Sequence, residues 1–179
     1  DVIAIKEETG LPVIGLVKVQ YPGYEGFITP TMKEVDDLVA AGSDIVALDC
    51  TLRKRGDGST VNEFIAQIRE KYPDIILMAD ISNYEEGINA WKCGVDIVGT
   101  TMSGYTAYTS SVSDGPDYEL MERLSRDINI PVIGEGRIHY PDQAVKALQT
   151  GAWAIVVGGA ITRPLEIAMR FQNAIKESR

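Results

Sequence analysis

Short apolar runs alternate with amphipathic stretches along the whole chain. The runs rich in valine and isoleucine contain successive apolar residues without polar alternation, which is typical of parallel strands buried on both faces. They cover residues 13–17, 45–48, 75–79, 96–99, 131–134 and 154–157. Between them, apolar residues recur at i, i+3 and i+4, which predicts helices with one apolar face. These stripes are Val35, Leu38 and Val39; Val61, Phe64, Ile65 and Ile68; Ala144, Val145 and Leu148; and Ile167, Phe171 and Ile175.

The order of these elements predicts the fold class. Strict alternation of strands and helices is typical of an α/β protein, either a doubly wound sheet or a (β/α)8 barrel. A dinucleotide-binding sheet would carry Gly-x-Gly-x-x-Gly after its first strand, whereas Lys18-Val19-Gln20-Tyr21 stands there. Polar residues follow nearly every strand, as they do at the active face of a barrel. We therefore predict a single (β/α) barrel domain over residues 1–179.

The strand count falls short of a complete barrel. The predicted strands are two fewer than the eight of a TIM barrel, and the chain opens with DVIAIKEETG, residues 1–10, whose pattern predicts a helix. We therefore expect the first two strands and the helix between them to be missing from this chain. The domain would then run from about the third barrel strand to the C-terminal helix.

The amino-acid composition excludes some kinds of binding partner and some kinds of functional site. The 17 Lys and Arg residues against 26 Asp and Glu give a net charge of −9, which repels nucleic acid and anionic membranes, so we expect neither as a partner. Apolar runs are strand-sized, far below the ~20 residues that span a bilayer, and we expect a cytoplasmic protein. Cys50, Cys93 and the single histidine, His139, offer no disulfide framework and no metal-ligand spacing. We therefore predict no metal site, and acids and bases drawn from Lys, Asp, Glu or Tyr.

Two charged residues at strand ends are candidates for proton transfer. In VIGEGRI, residues 132–138, Glu135 ends an apolar strand between two glycines. Apolar walls of a barrel would raise the pKa of its carboxyl group, although it could instead be a loop carboxylate that pairs with Arg137 or with a helix terminus. Lys18 ends the first visible strand. Its side chain either reaches solvent or is held in the pocket with a lowered pKa, as a base or a Schiff-base nucleophile.

Glycine turns after the last two strands are candidates for phosphate binding. Gly136 follows one strand, and Gly158-Gly159 follows the next and leads to a helix that begins at Pro164. In phosphate-binding barrels the loops at these places offer backbone N–H groups to a phosphate. Arg137 and Arg163 could add charge-assisted hydrogen bonds. The alternative is a pair of tight turns without a ligand.

Further polar residues could contact a sugar. Asp49 in ALDCT and Asp80 in MADIS are acceptors suited to hydroxyl groups, and their alternative role is helix capping. Ser82 or Asn83 could cap the helix after Asp80 and leave the aspartate free to point inward. The irregular segment 101–116 contains Tyr105 and could bind a ligand or form an Ω-loop packed on itself.

Taken together and in order, these motifs resemble the N-acetylmannosamine-6-phosphate 2-epimerases, from about Leu11 to the end of the chain. The segments that carry the resemblance are VIGLVK, FITPTMKEVDDL, ALDCTLRKRGDG, MADIS, VGTTMSGYT, VIGEGRI and VVGGAITRP. The resemblance implies a TIM barrel of the ribulose-phosphate-binding type. It also implies interconversion of N-acetylmannosamine 6-phosphate and N-acetylglucosamine 6-phosphate at C2, in sialic acid catabolism, by a homodimer without metal or organic cofactor.

The resemblance also implies roles for individual residues. Lys18 and Glu135 fall on the catalytic positions of the family. Its phosphate-binding positions fall on Gly136, Gly158, Gly159 and Arg163, with Arg137 nearby, and further pocket positions fall on Asp49, Asp80 and Tyr105.

The chain also departs from the family pattern. Val19-Gln20 stands where members usually have Arg and Asp or Asn, and the family's first strands, with a substrate-binding Gln and an Arg, have no counterpart. The alternatives are a truncated or non-catalytic phosphosugar-binding barrel and a phosphosugar lyase that forms a Schiff base on Lys18.

Overall fold

The computed structural model describes residues 1–110 and 115–178, in which six strands and eight helices alternate except at the end, where two helices follow the last strand. The strands are β1 (Ile14–Gly15), β2 (Ile45–Asp49), β3 (Ile76–Asp80), β4 (Ile97–Gly99), β5 (Val132–Glu135) and β6 (Ala154–Val156). The helices are α1 (Val2–Thr9), α2 (Met32–Ala40), α3 (Val61–Lys71), α4 (Tyr84–Lys92), α5 (Tyr118–Asp127), α6 (Pro141–Gln149), α7 (Gly159–Thr162) and α8 (Pro164–Glu177). Every predicted strand is present, which confirms the α/β class.

The strands form a single parallel sheet whose order follows the chain, from β1 to β6. A doubly wound sheet would reverse its strand order at a switch point, and this sheet does not. Sequential order with the helices packed on one face makes the sheet curl, as in a (β/α) barrel. The sheet formed by the described residues is an open part of a barrel, with β1 and β6 at its edges.

The two faces of the sheet have different roles. On the outer face, residues such as Val46, Leu48 and Leu77 pack under the helices with Phe64 and Ile65 and form the main core. On the inner face Ala47, Met78 and Ile133 form a smaller cluster, with Ile45, Ile97, Ala154 and Val156 packed against it. Because side chains alternate along a strand, Asp49, Asp80 and Glu135 share the inner face with this cluster. The fold therefore directs three carboxyl groups to the inside of the curled sheet.

Helices α6 and α8 keep the predicted periodicity but not the predicted burial. Val145 of α6 and Phe171 and Ile175 of α8 are exposed, Phe171 by 70%. These helices flank β6, an edge strand, so within the described chain their apolar stripes have less sheet to pack against. In residues 1–110 and 115–178, no helix has both the length and the apolar character needed to cross a membrane.

Candidate active site

The site lies where the parallel strands end. Asp49, Asp80 and Glu135 are the last residues of β2, β3 and β5, and Asp49 and Asp80 are direct partners in the register of the sheet. The carboxyl ends of parallel strands meet at one edge, which in barrels is the catalytic face. The structure therefore brings together the acidic residues that the sequence placed at strand ends.

Asp80 is the most deeply buried of these acids, with 1% of its surface exposed. Its Oδ1 accepts a hydrogen bond of 2.7 Å from the Thr101 hydroxyl, while among the described residues its buried Oδ2 has no hydrogen-bond partner. Burial, and then repulsion from Glu135, raises the pKa of Asp80 well above its usual value. Asn83 caps α4 by accepting from the Glu86 amide, as expected, so Asp80 is free to face the inside.

Glu135 has the environment that the sequence predicted. Burial raises the pKa of its carboxyl group, against the opposing effects of a Thr101 hydrogen bond and the charge of Lys18. Its backbone is fixed to β4, because its N–H donates to the Thr100 hydroxyl at 3.1 Å and its carbonyl accepts from that hydroxyl at 2.8 Å. The carboxyl group is therefore held on a rigid strand end and kept closer to its protonated form than an exposed glutamate.

Lys18 is not part of the parallel sheet, because β1 ends at Gly15. Lys18 instead pairs with Ile28 in an antiparallel bridge, where Thr29 N–H donates to Val17 O and Val19 N–H donates to Phe27 O. The side chain of Lys18 is exposed. The positive charge of Lys18 opposes the rise in the pKa of both Glu135 and Asp80, although burial outweighs it in each case.

Thr29, which supports this bridge, was not predicted from the sequence. It is fully buried and has φ of 46°, a left-handed conformation that is a clear outlier for a β-branched residue. Its hydroxyl donates to Ala47 O at 2.6 Å, which ties the segment that carries Lys18 to β2. Strain of this kind persists only where surrounding contacts hold it, and it is common at functional sites. No local sequence pattern indicates it.

Asp49 is largely satisfied by its own loop. Its Oδ2 accepts from Arg53 at 2.5 Å, and its Oδ1 accepts from the amide and hydroxyl of Thr51 at 3.0 and 2.6 Å. Gly26 lies directly against it, since a Cβ atom there would be 2.8 Å from Oδ2. The sequence did not predict these contacts, which make Asp49 first of all an anchor for the loop after β2.

The predicted phosphate-binding residues lie in two turns and a short helix. Gly136 and Arg137 have φ of 102° and 57°, which turns the chain sharply after Glu135. The guanidinium of Arg137 lies on Gly104, where a Cβ atom would be 2.7 Å from Cζ. After β6, Gly158 precedes α7, which begins at Gly159, and nothing lies within 4 Å of a Cβ atom built on Gly158. The structure therefore leaves room over the backbone of Gly158.

Arg163 and Tyr105 are both exposed at this end of the sheet. Arg163 pairs with Glu166 at 2.7 Å, and this contact raises the pKa of Arg163, with a smaller effect in the same direction from Tyr105.

The irregular segment after β4 also packs on itself, as its alternative interpretation predicted. The hydroxyls of Thr106 and Thr109 are 2.6 Å apart, and Ser103 donates to Asp117 at 2.7 Å. Tyr108 donates to Glu86 of α4, a residue that sequence reasoning missed. Residues 111–114 of the predicted segment 101–116 lie outside the described residues.

The chain is similar to known proteins over nearly its whole length. A family model described as "Putative N-acetylmannosamine-6-phosphate epimerase" matches residues 1–177. A relative from Caldanaerobacter subterraneus subsp. tengcongensis, described in the same terms as a 2-epimerase, is 58% identical over 179 residues, which are 100% of this chain and 75% of that protein. One from Clostridioides difficile, described likewise, is 48% identical over 176 residues, covering 98% of this chain and 78% of the relative.

A solved structure is also similar. It is that of the N-acetylmannosamine-6-phosphate 2-epimerase from Clostridium perfringens, which matches with a TM-score of 0.90 and 49% sequence identity. The match covers 97% of this chain and 75% of that chain. Both the architecture and the sequence of the curled sheet are therefore shared with a characterised epimerase.

Proposed function

Because the chain belongs to the N-acetylmannosamine-6-phosphate epimerase family, we propose that it interconverts N-acetylmannosamine 6-phosphate and N-acetylglucosamine 6-phosphate. The observation that carries this proposal is the family match over residues 1–177. Within the matched residues, the charge of Lys18 acts on Glu135 at the carboxyl end of the sheet. A binding protein would not require this combination of acid and base.

The reaction needs two proton-transfer groups. Opening the sugar ring exposes an aldehyde next to C2, and the C2 proton becomes acidic because the resulting carbanion delocalises into the carbonyl as an enolate. Inversion requires that one group removes the proton from one face and that another returns a proton to the opposite face. General acid–base groups work best when their pKa values lie near the working pH.

Lys18 and Glu135 are the groups that we assign to the two faces. Burial raises the pKa of Glu135, so its carboxyl group can carry a proton nearer to neutral pH and deliver it to the enolate. Lys18 approaches from a different element, the antiparallel bridge with Ile28. Thr101, which donates to Asp80 and also bonds Glu135, keeps the acids in fixed positions.

The phosphate group is assigned to the turns after β5 and β6. Gly136, Gly158 and Gly159 offer backbone N–H groups, and Arg137 and Arg163 offer cationic donors. Arg163 is exposed and holds Glu166, a contact that a phosphate would replace. Asp49, Asp80 and Tyr105 are assigned to the sugar. With a net charge of −9, capture of the phosphate depends on these local donors rather than on steering by the whole protein.

The wider setting follows from the same assignment. We place the enzyme in the cytoplasm, in sialic acid and amino-sugar catabolism, as a single barrel domain over residues 1–179, with neither metal nor organic cofactor and no nucleic-acid partner. We further propose a homodimer, as the resemblance to the family implies. A monomer in size-exclusion chromatography would contradict that part of the proposal.

Proton exchange tests the reaction directly. The purified protein in D2O should convert N-acetylmannosamine 6-phosphate to its epimer, with deuterium entering at C2 alone, as followed by NMR. No conversion and no exchange at C2 would refute the proposal and leave a binding protein. Borohydride trapping with the substrate distinguishes the lyase, because a Schiff base on Lys18 would be reduced to a stable adduct, whereas the epimerase should give none.

A further inference from the structure

Glu86 is a buried carboxylate outside the groups assigned to the reaction. It lies in the first turn of α4 with 1% of its surface exposed. It accepts hydrogen bonds from the amide and hydroxyl of Ser82, both at 2.7 Å, from the amide of Leu52 at 3.2 Å and from the Tyr108 hydroxyl at 2.5 Å. A carboxylate buried to this extent is costly unless donors surround it, as they do here.

The donors come from different loops at the carboxyl end of the sheet. Leu52 lies in the loop after β2, Ser82 in the loop after β3 and Tyr108 in the loop after β4. The first two loops begin at Asp49 and Asp80, which are assigned to the sugar. One carboxylate therefore fastens neighbouring loops of the site to the rigid helix α4.

The loop after β4 connects this anchor to the phosphate-binding end. At one end, the Tyr108 hydroxyl is bonded to Glu86. Nearer its start, Gly104 lies under the guanidinium of Arg137, which belongs to the turn after β5. A shift of this loop would therefore change its contact with Arg137.

We propose that Glu86 is a positioning residue and that its hydrogen bond to Tyr108 is a latch that holds residues 100–110, the described part of the loop after β4, against the phosphate-binding turn that carries Arg137. The inference rests on the proposed function, because it assigns the latch to the binding of the phosphosugar. Lys18 and Glu135 are held by other contacts, the bridge of Lys18 to Ile28 and the strand pairing of Glu135 with Val156. The latch therefore acts on affinity, and the proton-transfer groups keep their places without it.

The test removes only the hydroxyl of the latch. Tyr108→Phe keeps the ring and removes the tie between the loop and α4, so binding must hold the loop in place without it, and KM should rise on the order of tenfold, the effect of a hydrogen bond to a charged acceptor. The kcat value should stay within about twofold. The matched control is Tyr72→Phe, which loses a 2.7 Å bond to Asp36 between α3 and α2 and should change neither constant. An unchanged KM in Tyr108→Phe, or an equal change in the control, would overturn the latch.

A double-mutant cycle tests whether Glu86 is the partner. In a Glu86→Gln background the hydroxyl of Tyr108 faces an uncharged acceptor, so Tyr108→Phe should raise KM by less than about threefold. Equal effects in the two backgrounds would show that the tyrosine acts independently of Glu86. Thermal unfolding of each variant shows whether it folds. If the Glu86→Gln protein does not fold, the single variant Tyr108→Phe decides the proposal.

Amide hydrogen exchange separates the latch from the reaction. Tyr108→Phe should speed exchange of the Tyr105 and Thr109 amides, which are bonded within the loop, and leave the Leu52 and Ser82 amides, which Glu86 still holds, unchanged. Unchanged exchange in the loop would refute the latch even in an active enzyme. A wild-type protein without exchange at C2 would refute the proposed function, and the amide rates would still report whether the latch holds the loop.

Discussion

Replacing Glu135 with glutamine should remove one of the two proton-transfer groups with little effect on the fold. Glutamine has the same shape, and the backbone of this position is held by the Thr100 hydroxyl and by its register with Val156. Since burial disfavours the charged carboxylate, the neutral amide should not lower the melting temperature. A loss of activity would therefore report on chemistry.

The size of the loss follows from the role. General acid–base catalysis contributes about 10²–10⁴ in rate, which corresponds to an increase of about 2.7–5.4 kcal/mol in the activation free energy. Interconversion of the two epimers should fall by this factor. The remaining lysine can still remove the C2 proton of one epimer and return a deuteron to the same face, so that epimer should continue to exchange while the other should not.

The assay follows each epimer separately in D2O by NMR. In the wild-type protein, kcat/KM in the direction that uses Glu135 as the base should rise with pH, through a pKa above that of an ordinary glutamate. The variant should lack this rise. Glu119→Gln, an exposed change on α5, serves as the control and should behave as wild type. Interconversion within tenfold of wild type, or unchanged exchange of both epimers, would refute the assignment.

Further changes test the buried acid, the phosphate site and the core. The raised pKa of Asp80 means that the native state binds its proton more tightly than the unfolded chain, so this group's contribution to the free energy of unfolding decreases as pH rises above about 3.9. Asp80→Asn should therefore be more stable than wild type at pH 8 in urea titrations, with a smaller gain at pH 5; equal gains would contradict the shift. Arg163→Ala should raise KM on the order of tenfold or more, as expected for loss of a charged hydrogen bond. Arg126→Ala, an exposed control, should leave KM unchanged, and equal KM values for the two variants would show that Arg163 does not bind the substrate. Ile65→Ala, at a fully buried position under the sheet, should cost about 2–5 kcal/mol in chemical denaturation, and a loss below about 1 kcal/mol would mean that the core is placed wrongly.

Much of the fold was predictable because its signals are local. The apolar runs became β1 to β6 with boundaries shifted by no more than two residues, since a strand buried on both faces needs only successive apolar residues. The cap of α4 was equally local, because Asn83 accepts from an amide three residues along the chain. This cap and the strand period together turned Asp80 inward as expected.

The sequence could not predict which distant groups would meet. Asp49 was predicted as an acceptor for hydroxyl groups, but Gly26 packs against it once the loop after β1 has folded onto the end of β2. No prediction was made for Glu86, because its donors lie in loops as far away as Leu52 and Tyr108. These contacts depend on loop paths, which no short-range pattern specifies.

The sequence by itself therefore determined the strands, the helices and the order of residues at the catalytic end, because hydrophobic period and capping act over two to four positions. It also determined the family, through motifs such as VIGEGRI that keep their order. The raised pKa of Glu135 was expected from its place at a buried strand end, whereas only the tertiary structure decided the burial that raises the pKa of Asp80 and the left-handed conformation of Thr29 beneath the bridge of Lys18. Burial and strain are properties of the packed chain, because each depends on neighbours brought in from other strands and loops.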